Sequence, residues 1–247
     1  MKNLDGKIAF VSGSSRGLGK AIAYELATQG ATLLLHASKP SKEAQNTLKE
    51  IISISSLSKL YFSYIENPTD VEVMEKKIAQ DFDHIDILVN NAGITQSSSF
   101  AKMTNYEWKT VIDVNINGTF YVTKTLTPLL IKKRGGRIIQ MSSTYALNPE
   151  FGQANYSTSK AALIGFTKAL ALEFAKYKIT VNAVCPGITD VGMIQDIPIR
   201  YLAQRIEKIP LRRIGKKEEV AKLISFLCSD DANYITGQAI NINGGMH

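Results

Sequence analysis

The chain has 247 residues, of which 45% are hydrophobic and 21% charged, a balance typical of a globular protein with one core. No apolar run approaches the roughly 20 residues that a membrane-spanning helix needs, and the N-terminus lacks a signal-peptide core, so we expect a cytoplasmic protein and no membrane partner. The net charge of +7 fits nucleic acid, an acidic partner or simple solubility. Since no basic stripe is interleaved with aromatic residues, we expect no nucleic-acid partner.

Short aliphatic or β-branched runs alternate with helical patterns along the whole chain. The predicted strands are 8–11, 32–35, 59–65, 85–89, 137–141, 179–184 and 239–242. The predicted helices are 18–28, one within 41–54, 71–82, 106–133, 155–174 and one near 218–227. This alternation predicts one α/β domain over residues 1–247, a doubly wound parallel sheet of about seven strands with helices on both faces.

The least regular segment, 186–210, follows the sixth predicted strand. In open α/β sheets, ligands bind beyond the carboxyl ends of the strands. The segment is therefore a candidate lid over a ligand.

A glycine-rich turn follows the first predicted strand. Gly13 lets the chain turn sharply, and Gly17 and Gly19 let backbone amides approach a pyrophosphate at a helix N-terminus. The alternative is a glycine turn without a ligand. Its position after the first strand of a doubly wound pattern favours a dinucleotide site.

The residues near this turn favour NADP(H) over NAD(H). An NAD site needs a carboxylate at the end of the second strand, and residues 36–39 are His-Ala-Ser-Lys. Arg16 adds a guanidinium suited to a 2′-phosphate, although it is also typical of a solvated helix start. We expect NADP(H), with His36 and Ser38 at the adenosine end.

Tyr156 and Lys160 lie one turn apart on the predicted helix 155–174. An ammonium beside a phenol stabilises the phenolate, so we expect Lys160 to lower the pKa of Tyr156 from about 10. Such a tyrosine exchanges a proton with a carbonyl oxygen near neutral pH. The pair alone is also typical of a solvated helix face, and the nucleotide loop upstream favours catalysis.

Dispersed cysteines and histidines predict no metal site. Cys185 and Cys228 lie in apolar stretches and are typical of buried, reduced thiols. His36, His84 and His247 are far apart, which supports neither a metal centre nor a serine–histidine triad.

Taken in order, these motifs resemble those of the short-chain dehydrogenase/reductase family over nearly the whole chain. The resemblance is carried by Ser12-Gly13-x-x-x-Gly17-x-Gly19, Asn90-Asn91-Ala92-Gly93, Asn115, Ser143 and Tyr156-x-x-x-Lys160. It implies a Rossmann fold. Within that family, segments 14–19, 152–156, 235–238 and 243–246 look most like the members that reduce 3-oxoacyl groups on acyl carrier protein in fatty-acid synthesis.

The resemblance implies a catalytic set of Asn115, Ser143, Tyr156 and Lys160. Tyr156 would protonate the ketone oxygen, and Ser143 would hydrogen-bond it. Lys160 would lower the pKa of the tyrosine and hold the nicotinamide ribose, while Asn115 would position a water that relays protons. Cofactor contacts are implied for Gly13, Ser15, Arg16, Gly17, Leu18, Gly19, His36, Ser38, Asn90, Ala92, Gly93, Tyr156, Lys160, Pro186, Gly187, Ile188 and Thr189.

Three of these assignments have alternatives in the sequence. Ser142 is a second serine at the strand end, Asn117 a second asparagine in the long helix, and Asn90-Asn91 is also typical of a turn. Three positions depart from the family pattern. Tyr64 stands in place of an acid beside the adenine, and Val191 stands in place of a threonine whose role Thr189 could take. Ser12 replaces the threonine that starts the glycine motif and keeps its hydroxyl.

The resemblance also implies an acidic carrier protein as partner and a homotetramer. Candidate docking cations are 132–134, Lys176 and Lys178, although cations at helix C-termini are also favoured by the helix dipole alone. Two other functions stay open: a related enzyme acting on another ketone or secondary alcohol, and a nucleotide-binding sensor without turnover. The complete catalytic set argues against the sensor.

Overall fold

The computed structural model describes residues 3–191 and 199–246. Its strands form one parallel sheet in the order β3-β2-β1-β4-β5-β6-β7. The strands are β1 Ile8–Val11, β2 Thr32–Ala37, β3 Lys59–Phe62, β4 Ile87–Asn90, β5 Arg137–Met141, β6 Thr180–Pro186 and β7 Ala239–Ile242. The α-helices are α1 Gly17–Thr28, α2 Lys42–Ile52, α3 Pro68–Asp81, α4 Asn105–Ile112, α5 Thr119–Lys132, α6 Ala154–Phe174, α7 Ile199–Glu207 and α8 Lys217–Cys228. The predicted doubly wound parallel sheet is confirmed.

Two hydrophobic layers cover the sheet, one on each face. Successive side chains of a strand point to opposite faces, so β4 sends Val89 into one layer and Leu88 into the other. The first layer contains the apolar faces of α1 and α8, and the second those of α3, α5 and α6. The carboxyl ends of the strands therefore meet at one edge of a sheet that is buried on both sides, as the alternating sequence pattern predicts.

The predicted helix 106–133 is not one regular α-helix. α4 begins after a capping box of Thr104 and Glu107, and a π-helical segment, Asp113–Gly118, separates it from α5. Asn115 lies in this segment, and its side chain bonds the backbone of Ile94. Wider turns of this kind are frequent at functional sites. Hydrophobic periodicity carries no signal for it, because α4 and α5 continue the helical pattern on either side.

Boundaries differ from the prediction elsewhere. β3 ends at Phe62 rather than at residue 65, and β4 starts at Ile87 rather than at 85. Part of the candidate lid, 192–198, lies outside the described residues, and the lid's later part contains α7. Among the described helices, none combines the length and apolarity needed to cross a membrane.

A buried arginine joins the middle of the sheet to the C-terminal region. The guanidinium of Arg137, on β5, donates to the Ser229 carbonyl at 3.1 Å and to Asp230 at 3.2 Å, and it also bonds the side chain of Asn233. Arg137 is 4% exposed, so these acceptors compensate a charge removed from water. No sequence pattern predicts this contact between residues almost a hundred positions apart.

Candidate active site

The glycine loop is shaped by close backbone contacts. Gly13 has φ +64°, and a Cβ there would lie 3.0 Å from the Cα of Ala92. A Cβ on Gly19 would lie 2.2 Å from the carbonyl oxygen of Gly13, so only glycine fits. Gly17 has φ +58° and faces open space. The loop is therefore tight against the sheet and open on its outer side.

The N-terminus of α1 is suited to an anion. Its N-cap residue, Arg16, makes no capping hydrogen bond, and the first turn contains no acidic residue. Unpaired amides and the helix dipole both favour negative charge at such an end. The Arg16 side chain is exposed, and no described carboxylate pairs with it. These residues fit the pyrophosphate of a dinucleotide, as predicted for Ser15, Arg16, Gly17, Leu18 and Gly19.

Asn91, rather than Asn90, holds the loop. The side-chain amide of Asn91 donates to the carbonyls of Ser12 and Gly13, at 2.9 and 3.2 Å. The Ser12 hydroxyl accepts from the amides of Asn91 and Ala92, both at 2.9 Å. Asn90 instead points into the buried layer and donates to Thr123 at 2.9 Å. The Asn-Asn pair was recognised in the sequence, but only the structure separates the roles of its two members.

His36 and Ser38, both predicted at the adenosine end, differ in environment. His36 is 2% exposed, and its Nδ1 lies 3.1 Å from the amide nitrogen of Gly13. Ser38 is exposed and lines an open cleft of about 210 Å³ with Phe62, Ser63, Tyr64, Asp70 and Val73. Tyr64, which departs from the family pattern, thus stands in this cleft. His36 supports the loop from below.

Asn115 connects the loop after β4 to α6. Its amide oxygen accepts from the amide of Ile94 at 2.8 Å, and its nitrogen donates to the Ile94 carbonyl and to Ser159, both at 2.9 Å. A Cβ on Gly93 would lie 3.1 Å from the Asn115 oxygen and 3.3 Å from the Lys160 Nζ. Asn117 bonds only Asp113, on its own helix. The structure therefore brings Asn115, and not Asn117, to the predicted centre.

Ser143 and Tyr156 meet at the carboxyl edge of the sheet. Ser143 follows β5, and its hydroxyl accepts from the Tyr145 amide at 3.1 Å. Ser143 lies close enough to Tyr156 to lower the pKa of its phenol. The neighbouring Ser142 instead donates to the Lys160 carbonyl at 2.7 Å. The choice of Ser143 over Ser142 thus agrees with the geometry.

Lys160 is buried beside the tyrosine. Its Nζ donates to the Met141 carbonyl at 2.7 Å and lies 5.6 Å from the centroid of the Tyr156 ring. The two side chains are on the same side of the cleft, as their spacing on α6 predicts.

The expected lowering of the tyrosine pKa is wrong for this structure. Burial raises the pKa of Tyr156 above its ordinary value, and the nearby Ser143 offsets only part of the increase. Burial also lowers the pKa of Lys160 to about 8, against a smaller opposing effect of Cys185. A lysine that is itself removed from water gives up part of its charge, which weakens its effect on the phenol.

Residues 186–189, which the resemblance predicts to contact the cofactor, form a turn at the end of β6. The Gly187 amide donates to Ile242, and a Cβ on Gly187 would lie 2.9 Å from Asn243, so this turn is pressed against the end of β7. Ile188 and Thr189 line a small cavity with Gly215 and Asn243. Pro186, the last residue of β6, places this turn at the carboxyl edge, on the same side as Ser143.

An ion pair holds α7 over the loop after β5. Arg205 donates to Glu150 at 2.6 Å, and burial together with the Glu150 carboxylate raises the pKa of Tyr145. The Tyr145 ring packs edge-on against Tyr156, with centroids 6.5 Å apart. Tyr145 therefore connects the described part of the lid to the candidate proton donor, a contact that the sequence did not reveal.

Two further polar residues fix the start of α6. Asn155 is fully buried, donates to the carbonyls of Gln96 and Glu107, and accepts from the Tyr156 amide at 2.7 Å. The Gln153 side chain bonds Thr95 and Ser97. Segment 152–156, which carries part of the family resemblance, contains both residues, but the sequence does not predict these contacts.

The predicted docking cations lie at the opposite edge of the sheet from Ser143. Segment 132–134 precedes β5, whereas Ser143 follows it, so the strand's length of about 16 Å separates them. Lys132 pairs with Asp83, Lys133 lies 3.6 Å from Asp86, and Arg134 bonds the Lys176 carbonyl. Parallel strands place the start and the end of β5 at opposite edges, and the linear sequence does not show that distance.

Both cysteines are free and buried, as predicted. In the described ranges, no group of three His, Cys, Asp or Glu side chains could hold a metal ion.

Comparison with known proteins gives matches over the whole chain. A family model described as enoyl-(acyl carrier protein) reductase matches residues 13–247. The chain is 39% identical over 244 residues to the 3-oxoacyl-[acyl-carrier-protein] reductase FabG of Thermotoga maritima, covering 98% of each chain. It is 38% identical over 245 residues to the FabG of Escherichia coli, covering 99% of each. Nodulation protein G of Rhizobium sp. is 39% identical over 246 residues, which is 100% of this chain and 99% of that protein.

Proposed function

The chain belongs to the short-chain dehydrogenase/reductase family, and from that membership we propose that it reduces a 3-oxoacyl thioester on acyl carrier protein to the 3-hydroxyacyl form, with NADPH as cofactor. One observation carries the proposal. A continuous set of contacts runs from the glycine loop through Ala92 and Gly93 to Asn115 and Lys160. It joins a dinucleotide site to a buried tyrosine.

Tyr156 has the properties of a proton donor to a carbonyl oxygen. Its raised pKa keeps the phenol protonated at neutral pH, so a proton is available. The nicotinamide cofactor supplies the hydride when bound. Ser143, beside Tyr156, offers a second contact to the same oxygen, where negative charge develops. Lys160 provides a nearby positive charge, held in place by the Met141 carbonyl.

The preference for NADP(H) rests on charge. β2 ends at Ala37 and is followed by Ser38 and Lys39, so the strand end lacks the carboxylate that is typical of an NAD site. Arg16 is exposed at the start of α1 and free to pair with a 2′-phosphate. Both features favour a phosphorylated adenosine ribose.

In this proposal the carrier protein docks at the carboxyl edge of the sheet, where the active site opens. Leu211 bonds Gly244, just beyond β7, which places its segment at that edge. Leu211 is 62% exposed, and Lys208, Arg212 and Lys216 in the same segment are exposed. These four residues form the carboxyl-edge patch. An apolar centre among cations is complementary to an acidic protein.

The test measures NADPH oxidation with acetoacetyl-carrier protein against a panel of small ketones. The carrier-bound substrate should give the highest kcat/KM. A small ketone preferred over it would instead identify a related enzyme acting on another carbonyl compound.

Charge reversal locates the docking surface. Lys208→Glu should raise the KM for the carrier-bound substrate about fivefold, because attraction between exposed charges mainly affects encounter. The same substitution should leave the KM for an N-acetylcysteamine thioester unchanged. Arg134→Glu is the matched control at the opposite edge. A larger effect of Arg134→Glu would return the docking site to the surface first predicted from the sequence.

We also propose a homotetramer. Large apolar side chains are exposed on helices α4 to α6, including Tyr106, Phe120 and Leu172, which is 82% exposed. Large apolar side chains exposed on neighbouring helices are typical of subunit interfaces. Light scattering on the purified protein should give the mass of four chains, and the mass of one chain would exclude the assembly.

A further inference from the structure

We propose that His36 is a positioning residue for the cofactor: its neutral imidazole holds the Gly13 amide and thereby sets the conformation of the glycine loop. The inference rests on the proposed binding of a nicotinamide cofactor to that loop. The spacing of the glycines does not predict this role, because His36 lies on β2 and not in the loop that it supports.

Three contacts of His36 converge on the loop. Its Nδ1 lies 3.1 Å from the Gly13 amide nitrogen. Its backbone amide donates to the Ser14 hydroxyl at 2.9 Å, and its carbonyl accepts from the Ser14 amide at 2.9 Å. Of these, only the contact to Gly13 depends on the side chain. A substitution at position 36 can therefore remove the Gly13 contact while the backbone bonds remain.

The hydrogen-bond partners define the tautomer. A backbone amide can only donate, so Nδ1 must carry a lone pair toward Gly13. The proton is then on Nε2, which lies 3.1 Å from the Ser63 carbonyl and 3.0 Å from its hydroxyl. Ser63 lines the open cleft beside Ser38 and Tyr64. One ring thus connects the glycine loop with the floor of the adjoining cleft.

Protonation would break this arrangement, because an imidazolium presents a second N–H to the Gly13 amide. Burial lowers the pKa of His36 to about 4, which keeps the ring neutral at physiological pH. The ring packs near Phe10, with centroids 5.8 Å apart.

The ionisable groups on the neighbouring elements are Tyr61 on β3, with its partners Lys59 and Asp81, and Asp70 on α3. None of them hydrogen-bonds the imidazole in the described structure. Burial, and not a neighbouring charged group, therefore keeps the imidazole ring neutral.

Two isosteric substitutions separate the two ends of the ring. His36→Asn places an amide oxygen where Nδ1 stands and keeps an acceptor for Gly13. His36→Gln places its amide where Nε2 stands, which keeps a partner for Ser63 and leaves the Gly13 amide without one. Loss of a buried acceptor should raise the Kd for NADP⁺ about tenfold in His36→Gln, measured by calorimetry at pH 7.5, against about threefold or less in His36→Asn.

Hydrogen exchange of the Gly13 amide in the cofactor-free protein gives a second measurement. The exchange should be faster in His36→Gln than in the wild type and in His36→Asn. Equal Kd values and equal Gly13 exchange in the two variants would overturn the role of His36. Failure of the wild type to bind either NADP⁺ or NAD⁺ would instead overturn the cofactor assignment, and this inference with it.

The pH dependence provides an independent readout. The folded-state pKa of His36 is lowered, so its contribution to stability is present above the unfolded value near 6.5 and is lost as the pH falls toward 4. The unfolding equilibrium constant of the wild type, relative to His36→Asn, should rise about 20-fold between pH 7 and pH 5. A constant ratio would show that the ring is not held neutral, against the proposal.

Discussion

The glycine loop and the lid side of the cleft are held in different ways. At the glycine loop, Ser12, Asn91 and His36 form partly buried hydrogen bonds to the backbone, and close contacts at Gly19 leave no room for a side chain. At the lid side, α7 is tied down by an ion pair between Arg205 and Glu150, two side chains that remain partly exposed. The glycine loop is thus held by several hydrogen bonds to its backbone, whereas the described contact of α7 depends on one ion pair that is open to water.

The largest effect on activity should come from Tyr156, the side chain between the glycine loop and the lid side of the cleft. Tyr156→Phe removes the proposed proton donor and keeps the ring that packs against Tyr145. We expect kcat to fall about 1,000-fold, the usual scale of general acid catalysis, with the Kd for NADPH unchanged. Steady-state rates and calorimetry check both values. A variant that keeps more than a tenth of the activity would remove Tyr156 from that role.

An intermediate effect should follow from a change at the fixed end. Arg16→Ala should weaken NADPH about 30-fold, through loss of a charge-assisted hydrogen bond, and NADH by less than about twofold. Lys20→Ala, on the same helix and paired with Glu50, is the control for a general loss of positive charge. Equal losses for NADPH and NADH in Arg16→Ala would contradict the 2′-phosphate assignment.

The smallest effect is expected at the lid. Glu150→Gln keeps the shape of the side chain and removes the charge that faces Arg205, so the KM for the acyl substrate should rise about twofold to threefold at low salt. The difference should vanish at high salt, because a partly exposed pair is screened. Glu50→Gln, which breaks the surface pair with Lys20, is the matched control and should leave KM unchanged. A salt-independent rise in KM would mean that Glu150 contacts the substrate directly.

The difference between the two regions also explains what the sequence could predict. The glycine loop can be predicted because Gly13 and Gly19 stand at a fixed spacing, in positions that favour glycine. The alternation of strand and helix patterns is enough to predict the parallel sheet. Contacts such as Tyr145 to Tyr156 and Arg205 to Glu150 join residues whose spacing follows no rule. They depend on the path of the loops, which propensities do not specify.

Burial also limits what the sequence predicts about the pKa of a side chain. Tyr156 and Lys160 were predicted from their helical spacing, and their proximity is confirmed. Their pKa values depend on how much water the fold excludes, so the pattern alone gave the wrong direction for the tyrosine.

The contact between Arg137 and the region after α8 has a consequence for how the chain folds during synthesis. β5, in the centre of the sheet, carries a guanidinium whose acceptors lie at Ser229, Asp230 and Asn233, near the end of translation. Until those residues leave the ribosome, burying β5 would leave a positive charge with only the neighbouring Gly135 and Gly136 carbonyls as acceptors. The nascent protein should therefore form the β1–β4 half early and complete its catalytic half only in the last moments of elongation.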